Sequence, residues 1–149
     1  MKPFTRRCTS NDVLAMIEAV KDGDIERWGR LHDKFYDSWN KSAGVLIETL
    51  VWFAGVLAGN MPLETLAAQA EQLTSGPEEN PAAAKSRKLL ARSLFGSPNP
   101  AESFPQALGE ASQDASLSNF DRVMNLLSMA TTAGLIARKN DVRFETAPR

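Results

Sequence analysis

The sequence predicts an all-α fold: a compact helical bundle of about six helices around a central apolar helix at 43–59, followed by an extended C-terminal tail. Three observations carry this. Apolar residues recur at spacings of 3 and 4 in one segment after another. Helix-starting and helix-stopping residues punctuate those segments, as in Asn80-Pro81, Asn99-Pro100 and Gly96. No stretch sustains the apolar/polar alternation of β-branched residues that a strand requires, and no turn dipeptide is flanked by it.

The elements follow in chain order. Thr9 and Ser10 are candidate N-caps for a helix whose apolar face is Val13, Leu14, Met16, Ile17 and Val20. Lys21-Asp22-Gly23-Asp24 ends that helix and caps the next. Ile25, Trp28, Leu31, Phe35 and Trp39 then form a stripe dominated by aromatics, with His32 and Tyr36 beside it. Core packing is the expected role of this stripe, and truncating Trp39 is expected to cost roughly 3–5 kcal/mol. Residues 24–59 fit either one long helix or two, because Asn40-Lys41-Ser42 suits both.

Ala43–Gly59 is the longest apolar run, 17 residues interrupted by Glu48. A membrane span needs about 20 mostly apolar residues, and a central carboxylate opposes insertion. The run is therefore read as a central core helix with Glu48 turned outward or paired, Lys41 and Arg122 being the candidate cations. Gly55 and Gly59 share a spacing that admits a second helix, which allows self-association. Asn60 with Pro62 is read as the next start, for an amphipathic helix reaching Ser75-Gly76. Pro77-Glu78-Glu79-Asn80 is a polar connector. Asn80-Pro81 opens the helix through Phe95. Asn99-Pro100 opens another to about Ala111, which Pro105 is expected to shorten. Ser116 or Ser118 caps the last helix, lined by Phe120, Val123, Met124, Leu127, Ala130, Leu135 and Ile136.

The whole chain, 1–149, reads as one domain with a flexible arm at 1–9 and a tail at 140–149. With 149 residues and 43% apolar composition it can bury its own core. One cysteine excludes an internal disulfide. The start, MKPFTRRCTSN, has basic residues but no apolar stretch behind them, so no secretory signal is expected. A cytoplasmic location follows, with Cys8 a reduced thiol near a frayed terminus.

The net charge of −1 conceals segregation. Residues 1–8 carry Lys2, Arg6 and Arg7. Acidic blocks fall at 10–24, 60–79 and 96–121, the second including Glu78 and Glu79. Lys85, Arg87, Lys88 and Arg92 form the one dense basic cluster, with Lys85, Lys88 and Arg92 on one helix face. These four are the candidate partner-binding residues. The favoured partner is another protein, and the runner-up is nucleic acid bound by helix 81–95. A helix-turn-helix is disfavoured, because Ser75 to Asn80 is too long a connector for that motif.

Catalysis ranks last. His32 is the single histidine; Asp33 and Asp37 lie close in sequence, but no nucleophile does. Glu64 and Glu71 lack the histidine partners of a di-metal bundle. No phosphate-cradling glycine motif occurs, and no cofactor or metal site is expected. The resulting expectation is a non-catalytic protein–protein interaction module such as a small adaptor, inhibitor or assembly factor. A small enzyme using His32 and carboxylates is the remaining alternative.

Overall fold

Four helices begin at a side chain that caps them, Thr9, Asp24, Asn80 and Ser118. In the computed structural model, which describes residues 7–74 and 80–144, seven helices occur and no strand is present among the described residues. They are α1 (Ser10–Asp22), α2 (Ile25–Asp37), α3 (Trp39–Ala58), α4 (Leu63–Leu73), α5 (Pro81–Phe95), α6 (Pro100–Ser112) and α7 (Asn119–Lys139). The structure is all-helical and compact. Lys2, Arg6, the connector residues Pro77, Glu78 and Glu79, and the tail beyond Phe144 lie outside the described residues.

Thr9 caps α1 through a reciprocal pair. Its hydroxyl accepts from the Asp12 backbone N–H at 3.3 Å, and the Asp12 carboxylate accepts from Thr9 N–H at 2.7 Å. Gly23, at φ 73°, closes α1 in the left-handed conformation that glycine enters without steric cost. Asp24 then caps α2. Asn80 caps α5 with Pro81 in the first turn, and Ser118 with Asp121 forms a second capping box on α7.

The open question at 24–59 resolves into two helices, making seven rather than about six. The break is Ser38, whose hydroxyl donates to the Lys34 carbonyl at 2.7 Å and lies 2.7 Å from the Ser42 hydroxyl. The Cys8 backbone N–H donates to Ser42 Oγ at 2.9 Å, and its thiol lies 3.6 Å from Ser38 Oγ. This buried polar knot ties the segment before α1 to the α2–α3 junction. It corrects one expectation: Cys8 is fully buried rather than near a frayed end. Trp39 opens α3 instead of ending the α2 stripe, so the central apolar helix runs 39–58 rather than 43–59.

α3 touches each of the other six helices. It buries Leu46, Leu50, Phe53, Ala54 and Leu57 and turns Glu48, Trp52 and Gly55 to solvent. By length and composition it is also apolar enough to cross a membrane. α7 is more enclosed still, with 11 of its 21 residues buried against 7 of 20 in α3. Small residues make this possible. Ala130, Ala133, Gly134 and Ala137 let α1 approach so closely that a Cβ at Gly134 would lie 2.7 Å from the Ile17 carbonyl oxygen.

Several boundaries differ from expectation for local reasons. Asn60 does not cap α4; its side-chain amide donates back to Val56 O at 2.8 Å and closes α3 instead. α4 stops at Leu73. α6 continues through Pro105, because that proline is exposed and forfeits one backbone bond, while Phe104 beside it is fully buried. Phe120 does not line the core side of α7, being 57% exposed, and Ile25 of the α2 stripe is 79% exposed. After α7, Val142 is buried and Phe144 packs edge-on against Phe53 at 4.8 Å, so the start of the tail docks on the core.

Candidate functional site

The residues of the α2 stripe divide between core and surface. Phe35 is fully buried, whereas Trp28 and His32 pack only partly and reach a cleft between α2, α5 and α7. The i,i+4 spacing brings His32 against Trp28, with ring centroids 4.9 Å apart and planes tilted by 40°. The Trp28 indole N–H donates to Thr131 Oγ1 of α7 at 3.3 Å, which joins the two walls. One turn on, the exposed Tyr36 ring meets Phe120 edge-on at 6.2 Å. The result is an aromatic rim of Trp28, His32, Tyr36 and Phe120.

The cleft encloses about 450 Å³, within the range of small-ligand sites. Its apolar walls are Leu73, Ala83, Met124 and the aromatic rings. Its inner polar group is Arg87, 7% exposed, which donates from Nη1 to Asn125 Oδ1 at 3.3 Å. Asn125 is itself buried and donates from Nδ2 to Ala83 O at 3.0 Å, so its oxygen is held toward the guanidinium. Among the described residues, no carboxylate lies at ion-pair distance from Arg87.

Two other titratable groups face the cleft. Burial pushes the His32 imidazole below its ordinary pKa, with Asp33 pulling in the opposite direction. Asp121 is held below the usual carboxylate value chiefly by the Ser118 backbone N–H and hydroxyl, with a further contribution from Asn80 at 3.1 Å. Ser128, Thr131 and Thr132 bring hydroxyls into the same space. Ser128 donates to Asn125 O at 2.6 Å and Thr132 to Ser128 O at 3.0 Å. Neither is hydrogen-bonded to His32, as a base–nucleophile pair would require.

The predicted basic cluster is split by the fold. Lys85, Lys88 and Arg92 are exposed on α5, but Arg87 points inward to the α2–α5–α7 cleft. The reason is periodicity: Ala83, Arg87, Leu90 and Leu94 share the buried side of α5. Lys85 and Arg92 flank a second cleft, between α5 and α6, that also contains Glu110 and Asp114. Lys88 and Arg92 border a third, beside Glu71 of α4. Lys85, Lys88 and Arg92 thus stay on the exposed side of α5, and Arg87 is the cation separated from them. Glu48 is exposed, and its candidate partner Arg122 instead donates to Ala111 O and Asp114 O. No cluster of three or more metal-binding side chains occurs among the described residues.

Asn125 and the hydroxyls beside it had no place among the sequence candidates. Their signal is a polar stripe on an otherwise apolar helix: Asn125, Ser128 and Thr132 follow each other at spacings of 3 and 4. Comparison with known proteins finds no matching family model, no similar curated protein and no similar solved structure.

Proposed function

We propose that this chain is a non-catalytic interaction module, a cytoplasmic adaptor, inhibitor or assembly factor, whose helices form a bundle around α3 and whose partner is another protein. The observation that carries the reading is the exposed aromatic pair Tyr36–Phe120 at the rim of a cleft with a buried arginine. Tyrosine, tryptophan and arginine are the residue types enriched at protein-binding hot spots. Tyr36 is 46% exposed and Phe120 57%, and neither ring is needed to fill the core. The reading thus moves the favoured surface from the α5 cations to the α2–α7 rim. Arg87 stays within it, while Lys85, Lys88 and Arg92 contribute long-range attraction only.

The test is affinity capture with the purified chain from the native host. Three baits are compared: wild type, a Tyr36→Ala/Phe120→Ala double variant, and Leu89→Ala, which changes an exposed apolar residue on α5. A partner protein retained by wild type and Leu89→Ala but lost from the folded double variant is expected. Identical capture by all three baits would refute the assignment of the rim.

A further inference from the structure

We propose that the α2–α5–α7 cleft contains a carboxylate subsite, built by Arg87 and oriented by Asn125, that takes a monoanionic acid carried on an apolar body. This rests on the reading of that cleft as the binding face and deepens it by naming the chemistry of what enters.

A guanidinium keeps its charge inside proteins, so burial does not remove the need for a partner. A buried cation is ordinarily paired, yet Arg87 has no ion-pair partner among the described residues and one neutral acceptor, Asn125. No Arg87 nitrogen is both sealed from solvent and without an acceptor. The donors that Asn125 leaves free are therefore not fully sealed, and Arg87 lines the cleft. A guanidinium presents them as a planar fork that matches a carboxylate. Asn125 fixes the fork from behind, because its own amide is anchored on Ala83 O.

The rest of the lining selects the acid. Trp28, Met124 and Phe120 offer apolar and aromatic contact to the body of the ligand. Among the described residues lining the cleft, Arg87 is the one permanent cation and Asp121 the one carboxylate, engaged by Ser118 and Asn80. A single guanidinium balances one negative charge, and the Asp121 carboxylate repels a doubly charged phosphate more than a monoanion. The same chemistry comes from two sources, a free aromatic acid or the C-terminal carboxylate of a peptide ending in an apolar residue.

The experiment titrates the full chain with 3-phenylpropionate and with its uncharged amide, following the Trp28 indole N–H by NMR. N-acetyl-glycyl-phenylalanine and its C-terminal amide form the second arm, and inorganic phosphate is the comparator. At least one acid is expected to bind about tenfold more tightly than its amide, the value of one charge-assisted hydrogen-bonded contact. The free acid alone identifies a small-molecule site, and the peptide acid a terminus-binding site. Arg87→Met, which fills similar volume without charge, should abolish the acid–amide difference. Equal binding of acid and amide in both arms, absence of any acid binding at millimolar concentration, or phosphate binding as well as the acids overturns the proposal. The wild-type acid–amide comparison decides even where Arg87→Met fails to fold. Its failure is separable from that of the interaction module, because partner capture is scored on Tyr36 and Phe120 and leaves Arg87 unchanged.

Discussion

Gly134→Ala tests the close approach of α7 to α1. A Cβ at this position would lie 2.5 Å from Val20 Cβ and 2.7 Å from the Ile17 carbonyl oxygen, both on α1. Bringing the carbon contact to ordinary van der Waals distance requires α1 and α7 to part by roughly 0.9 Å, and the oxygen is backbone, so no side-chain rotation relieves it. Overpacking of this kind costs about 1–3 kcal/mol. Against it stands the gain from replacing glycine within a helix, about 1 kcal/mol. The clash wins, because α1 is fixed along α7 by Val13, Met16 and Ile17, all fully buried. The expected net loss is up to about 2 kcal/mol, a fall of up to roughly 8 °C in Tm for a chain of this size. Gly55→Ala is the matched control. It is also helical, but its Cβ would meet nothing within 4 Å, so it should gain about 0.5–1 kcal/mol. Urea unfolding followed by circular dichroism reads both. A Gly134→Ala variant at least as stable as wild type would refute the close approach of α1 and α7.

Two further perturbations follow from burial. Because burial lowers the His32 pKa, the unfolded chain binds the extra proton first as pH falls below about 6.5. The His32 contribution to stability is therefore present above that pH and declines as pH falls toward the folded value. Urea midpoints between pH 5 and 7.5 should fall more steeply for wild type than for His32→Gln; parallel profiles would contradict this. Phe53→Ala should cost about 3–5 kcal/mol, because the ring is fully buried and contacts Phe144. Trp39→Ala should cost less, about 2 kcal/mol, since Trp39 packs against the core from its edge and stays partly exposed at the start of α3. Equal losses in chemical denaturation would place Trp39 in the core after all.

Capping residues were legible because their chemistry is local. Thr9, Asp24, Asn80 and Ser118 each stand at the start of a helix, and each satisfies N–H groups within three residues of itself. Pro105 was misleading for the complementary reason: one lost backbone bond is outweighed by the burial of Phe104, which depends on neighbouring helices rather than on α6 alone. The α2–α3 break was equally illegible, since it hangs on Ser38 meeting Ser42 and on Cys8 arriving from 30 residues away.

The candidate site shows the same division. That residues 85–92 are strongly basic is a property of composition. That Lys85, Lys88 and Arg92 stay outside while Arg87 turns toward Asn125 follows from which side of α5 faces α7. Likewise, the aromatic spacing of α2 is written in the chain, but exposure of Tyr36 depends on a partner, Phe120, lying 84 positions later. Helical identity and helix ends arise from interactions spanning a few residues, so they could be read directly from the chain. The cleft, its buried cation and its aromatic rim arise from helices brought together across long sequence separations. Packing alone decided them, because the cost of leaving Phe35, Phe104 or Val142 in water is settled only when every helix has a neighbour.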